Sequence, residues 1–86
     1  MAEIFRIEGY KFYIPSNDHP PAHVHVKKGE FATRIDISGE QAVWMAGEQG
    51  NPVAQNRKLR KAAIQIANRH LLELKKRWES IDRGRQ

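Results

Sequence analysis

Apolar residues recur every second position through the first half of the chain. From about residue 55 the spacing changes to alternating gaps of three and four. The first pattern predicts strands. Ile4–Ile7 and Tyr10–Ile14 flank Glu8-Gly9, a two-residue turn with a glycine available for positive φ. In the second strand Tyr10, Phe12 and Ile14 share one face, and Lys11 and Tyr13 share the other. Pro15 ends it, having no N–H for a ladder. A polar loop, Ser16 to Ala22, leads to His23–Lys27, where Val24 and Val26 oppose His23 and His25. After the turn at Lys28-Gly29-Glu30, Phe31–Ile37 sets Phe31, Thr33, Ile35 and Ile37 against Ala32, Arg34 and Asp36. A further turn, Ser38-Gly39-Glu40, precedes a short fifth strand, Gln41–Met45. Every connection is too short for a parallel crossover, so the strands form an antiparallel meander.

The stretch Ala46–Val53 (AGEQGNPV) has no periodicity and reads as part of a connector over 46–54. A helix follows over about 55–80. Leu59, Ala63, Ile66, Ala67, Leu71, Leu74, Trp78 and Ile81 line one side, and Lys58, Lys61, Gln65, Asn68, Arg69, Lys75, Lys76 and Glu79 line the other. Such a helix must bury its stripe, and the sheet's apolar face is the surface on offer. The expected architecture is α+β: a four- to five-stranded antiparallel β-meander packed by one long C-terminal amphipathic helix, with a frayed tail over 82–86.

With 86 residues there is room for one core, so 1–86 reads as a single domain. No cysteine is present, which excludes disulfides and thiolate metal sites. No signal-like N-terminus and no apolar run of about 20 residues is found, so a soluble cytoplasmic protein without a membrane partner is expected. The net charge of +5 is uneven. Residues 1–55 carry five Lys/Arg and seven Asp/Glu, and residues 56–86 carry ten and three. The basic excess lies in the C-terminal third, where it implies either an acidic partner or a solvated helix face.

Three of the four histidines fall within Asp18–Val26, DHPPAHVHV. His23 and His25 are two apart on a strand, so their side chains root on one face about 6.5–7 Å apart. Three readings stand side by side. In the first, His23 and His25 bind one metal ion (Zn, Ni or Cu), with His19 as a third ligand, Asp18 as an oxygen donor and His70 as an outlying addition. In the second, which needs no cofactor, His19, His23 and His25 do acid/base chemistry, as cleavage at a ribose 2′-hydroxyl requires, with Lys27, Lys28 and Arg34 holding phosphate. In the third, a Pro-Pro turn feeds a strand whose outward residues are histidine. The sequence leaves open whether the chain is an enzyme. His70 lies in the helix's apolar stripe, where a lone histidine is a core-edge residue; if the helix covers Val24 and Val26, His70 reaches the other histidines only around an edge.

The helix offers a different function. Lys58, Lys61, Arg69, Lys75 and Lys76 suit phosphates of a nucleic acid or carboxylates of a protein partner, in a non-enzymatic binding module or regulator. No helix-turn-helix spacing and no aromatic RNA-binding strand motif is present, which disfavours sequence-specific DNA reading. An exposed edge strand would let the chain pair with a second copy.

The chain also resembles a widespread group of small bacterial proteins of unknown function marked by Asp-His-x-Pro-Pro-His-x-His and by a helix histidine eight residues before a tryptophan. Here these are Asp18-His19-Pro20-Pro21-Ala22-His23-Val24-His25, then His70 and Trp78. The likeness runs from about Glu3 to Trp78, and Ala22 departs from it by standing where the second proline is usual. The resemblance implies a toxin-like member of a two-gene toxin–antitoxin-type module, with a small cognate protein as partner. It implies no assigned reaction.

Overall fold

The computed structural model describes residues 2–15 and 19–84, with side chains described for 5–15 and 19–82. Five strands follow one another in space as in sequence: β1 (Ala2–Ile7), β2 (Tyr10–Ile14), β3 (His23–Lys28), β4 (Phe31–Asp36) and β5 (Val43–Trp44). All four pairings are antiparallel. Glu8 (φ 52°) and Gly9 (φ 83°) make the first hairpin with two left-handed residues, which matches the twist of the flanking strands. Burial follows the alternation: Tyr10, Phe12, Ile14, Val24, Val26, Phe31 and Ile35 are all buried on one face.

That face is closed by α1 (Arg57–Arg69) and α2 (Leu71–Gly84). Ala63, Ile66, Ala67, Leu74 and Trp78 join the strand residues in one core. Asn56 starts α1 by accepting the Leu59 N–H through Oδ1 at 3.0 Å, which satisfies one orphan donor of the first turn. The fold is thus the expected α+β meander with a long C-terminal helix, and that helix is articulated at His70 (φ −116°, ψ 23°). The ladder continues across the joint. The His70 N–H reaches the carbonyls of Ile66 and Ala67, each at 3.2 Å, and its own carbonyl accepts from Leu74 at 2.9 Å.

Several boundaries differ from expectation: β3 runs on through Lys28 and the helix starts at Arg57. β1 begins at Ala2, with a bulge between Glu3 and Phe5. Ile37 is buried but lies beyond β4, its N–H bonded to the Ala22 carbonyl at 3.0 Å. β5 is only two residues long. The helix persists through Gly84, past the Asp82 at which fraying was expected, and Arg85 and Gln86 lie outside the described residues. The connector is ordered by two single-turn 3-10 helices, Glu48–Gly50 and Pro52–Ala54.

Candidate functional site

The helices cover the Val24/Val26 side, and Trp78 of α2 also reaches His23 at one end of the other face; the rest of that face, around Tyr13, His25 and Arg34, is left partly exposed. Cross-strand register assembles its surface. Tyr13 faces His25, and His25 faces Arg34. One row along, Arg6 faces Lys11, Lys11 faces Lys27, and Lys27 faces Ala32. The Tyr13 and His25 rings stack with centres 5.2 Å apart and planes at 30°, and the Lys11 ammonium lies 5.2 Å from the Tyr13 ring centre. Two half-buried rings on adjacent strands thus sit within a field of cations. Asp36, the acid of β4, turns away locally by accepting from the Ser38 N–H at 2.8 Å and its hydroxyl at 2.6 Å.

The histidines separate by role. His23 is only 5% exposed. Its Nδ1 lies 2.7 Å from the Pro21 carbonyl oxygen, an acceptor, so Nδ1 carries the proton and any further chemistry of this ring runs through Nε2. His25 is half-buried, with its ring centre 5.4 Å from that of His23. The other side of His23 meets the Trp78 indole at 5.3 Å. His19 is exposed, and Asp18 lies outside the described residues. His70 packs against Phe5 with ring centres 5.0 Å apart, and Phe5 stacks on Phe12 of the core face. Its ring contact is therefore on the helix side of the sheet, while Trp78, two turns on, meets His23. Among the described residues, no three or more His, Asp or Glu side chains are gathered in a group that could hold a metal ion.

The three phosphate candidates also divide. Lys27 and Arg34 share the open face with His25. Lys28, one residue on, belongs to the other face, where its ammonium lies 4.5 Å from the Tyr10 ring centre and donates to the Glu8 carbonyl at 3.1 Å. Of the helix cations, Lys58, Lys61 and Lys76 are exposed and Lys75 is half-buried. Arg69 pairs with Glu8 at 3.3 Å across the surface.

Arg34 has a partner that sequence patterning did not indicate. Glu48, buried at 2% exposure in the unpatterned connector, accepts from the Thr33 hydroxyl (2.8 Å), Arg34 Nε (3.0 Å), the Arg34 N–H (3.2 Å) and Asn51 Nδ2 (3.0 Å). Arg34 Nη2 completes a two-pronged ion pair at 2.9 Å. Burial alone pushes this carboxyl upward. The donors of Asn51, Thr33 and Arg34 outweigh it and hold Glu48 below the ordinary carboxylate value. The guanidinium is thereby fixed in the open face with 40% of its side chain exposed. The signal available in the sequence is faint: Glu48 is the one charge between Glu40 and Arg57.

Among the described residues no helix is long and apolar enough to cross a membrane. No curated protein and no solved structure matches the chain. One family model does, over residues 9–79, which takes in every strand after β1, the histidine pair, α1 and α2 as far as Glu79, Trp78 included. The chain belongs to that family, described as Domain of unknown function (DUF4160).

Proposed function

We propose, with that membership as the premise, that the chain is an RNA-binding protein whose binding surface is the open face of the sheet. The carrying observation is the Tyr13–His25 stack, flanked by Lys11, Lys27 and the anchored Arg34. Aromatic faces on neighbouring strands accept unstacked bases at about 1–3 kcal/mol each, and surrounding cations follow the phosphates. Such a surface suits single-stranded RNA, whose bases can splay onto rings, better than duplex DNA, whose bases are already stacked. The bacterial resemblance adds a setting, a toxin-like component held in check by a small cognate protein, for which RNA is a fitting target.

A second reading, cleavage at a ribose 2′-hydroxyl, draws on the 5.4 Å approach of His23 to His25. Here His25 is the histidine placed to meet the substrate, and the more deeply buried His23 supports it.

The test is fluorescence anisotropy with a labelled single-stranded oligouridylate, alongside gels of the same RNA. Tyr13→Ala and His25→Ala should each weaken binding about tenfold, with melting curves preserved. Affinity unchanged in both variants would overturn the reading. Wild-type cleavage that His25→Ala abolishes would establish the second reading on top of the first; intact RNA throughout would leave binding alone. Induced expression in a bacterial host tests the toxin-like setting, which requires growth arrest by the wild type and not by Tyr13→Ala/His25→Ala.

A further inference from the structure

The basic charge of the C-terminal third is not shared evenly by its two helices. α1 reads RKLRKAAIQIANR, with five cations and no acid, whereas α2 sets Glu73, Glu79 and Asp82 among its bases and pairs Glu73 with Arg77 at 2.7 Å. Of the α1 cations, Arg69 is matched by Glu8. Among the described residues no ion pair is formed by Arg57, Lys58, Arg60 or Lys61, which crowd the first two turns. That end of a helix already carries positive potential, so the four cations raise the local free energy and attract negative charge together.

The surface is not merely cationic. Arg57, Arg60, Lys61 and Gln65 border a shallow concavity with Ile64, a half-buried apolar side chain. Arg60 is pre-set for recognition: its guanidinium lies 4.0 Å from the Trp44 ring centre, and Trp44 is itself tethered by Nε1–H donating to the Thr33 hydroxyl at 2.7 Å. A stacked guanidinium loses little freedom on gripping a carboxylate with two parallel bonds.

We infer that this face of α1 docks an acidic amphipathic segment of a protein partner. Ile64 takes an apolar side chain of the segment, and Arg57, Arg60 and Lys61 take its carboxylates. An apolar side chain set among cations fits such a peptide, whose aliphatic residues and carboxylates alternate, whereas phosphates would pair with the cations and leave Ile64 unmatched. The site lies on the helix side of the sheet, away from Tyr13 and His25, and does not depend on the RNA reading.

The probe is a fluorescein-labelled peptide of Leu-Glu-Glu-Leu-Leu-Glu repeats. It is compared with poly-glutamate of the same charge and with oligouridylate, all on the full chain. The Leu/Glu peptide should bind most tightly, with affinity falling as salt rises. Ile64→Ser and Arg60→Lys should each weaken it about tenfold, the second while keeping the charge, and Tyr13→Ala should leave it unchanged. Equal affinity for the peptide and poly-glutamate, tighter α1-dependent binding of oligouridylate, or indifference to Ile64→Ser and Arg60→Lys would each overturn the inference. Loss of RNA binding in Tyr13→Ala with peptide binding intact separates the two surfaces.

Discussion

The Trp78 indole stands 5.3 Å from the His23 imidazole, centre to centre, so the far half of the helix closes over the start of β3. This contact lies beyond the joint at His70, on the second helical segment, and ties that segment to the start of β3. Replacing Trp78 with alanine should cost about 3–5 kcal/mol of unfolding free energy, read by urea titration. His23→Ala should cost less, since a smaller ring is removed. A Trp78→Ala variant as stable as the wild type would mean that α2 docks without this contact.

Glu48→Ala strands Arg34, Thr33 and Asn51 donors around an empty site, and should cost about 2–4 kcal/mol. Acid titration gives a second check. Since the folded carboxyl sits below its unfolded value, its contribution is complete above about pH 4.3 and disappears as pH falls through the lowered native value. Stability measured from pH 7 down to pH 2 should therefore decline less steeply at the acid end in Glu48→Gln.

Tyr10 makes the opposite case at alkaline pH. Burial first, and the charge of Glu8 second, raise its hydroxyl above the ordinary value, while the hydroxyl donates to the Leu59 carbonyl at 3.1 Å. The contribution is complete below about pH 10 and is lost as pH climbs through the raised native value. Tyr10→Phe should remove this alkaline decline, at the expense of the hydrogen bond at neutral pH, in melting curves between pH 8 and pH 11.

Lys58 occupies the first turn of α1, where an acid would suit the helix better. Lys58→Glu should raise the melting temperature by about 2–6 °C and at the same time weaken binding of the Leu/Glu peptide. A lowered melting temperature would show that Lys58 has a structural contact outweighing the dipole.

The strands and the helical stripe were legible because each is a repeated signal: one face of β2, β3 and β4 is apolar at every second residue, and burial follows. The face assignments of Tyr13, His25 and Lys27 came from the same parity. What parity does not carry is contact between remote segments. Glu48 reaches Thr33 and Arg34 from a stretch without period, and its burial depends on partners spread along the chain. The separation of His70 from His23 likewise followed from which sheet face the helix takes. That Trp78 meets His23 is a contact between remote segments, and the break between the two helical segments at His70 leaves no trace in the periodicity.

The outer border of β4 has a consequence for how the protein behaves in a crowded solution. β5 covers only Ile35 and Asp36. Beyond it, the Arg34 N–H is taken by the Glu48 carboxylate and the Ala32 carbonyl by Asn51 Nδ2 at 3.4 Å. An incoming strand would find these positions occupied by side chains that cannot themselves be extended into a further strand. A strand adding to β4 at these positions would have to displace the side chains of Glu48 and Asn51, so the acid that anchors Arg34 also stands in the way of edge-to-edge pairing there.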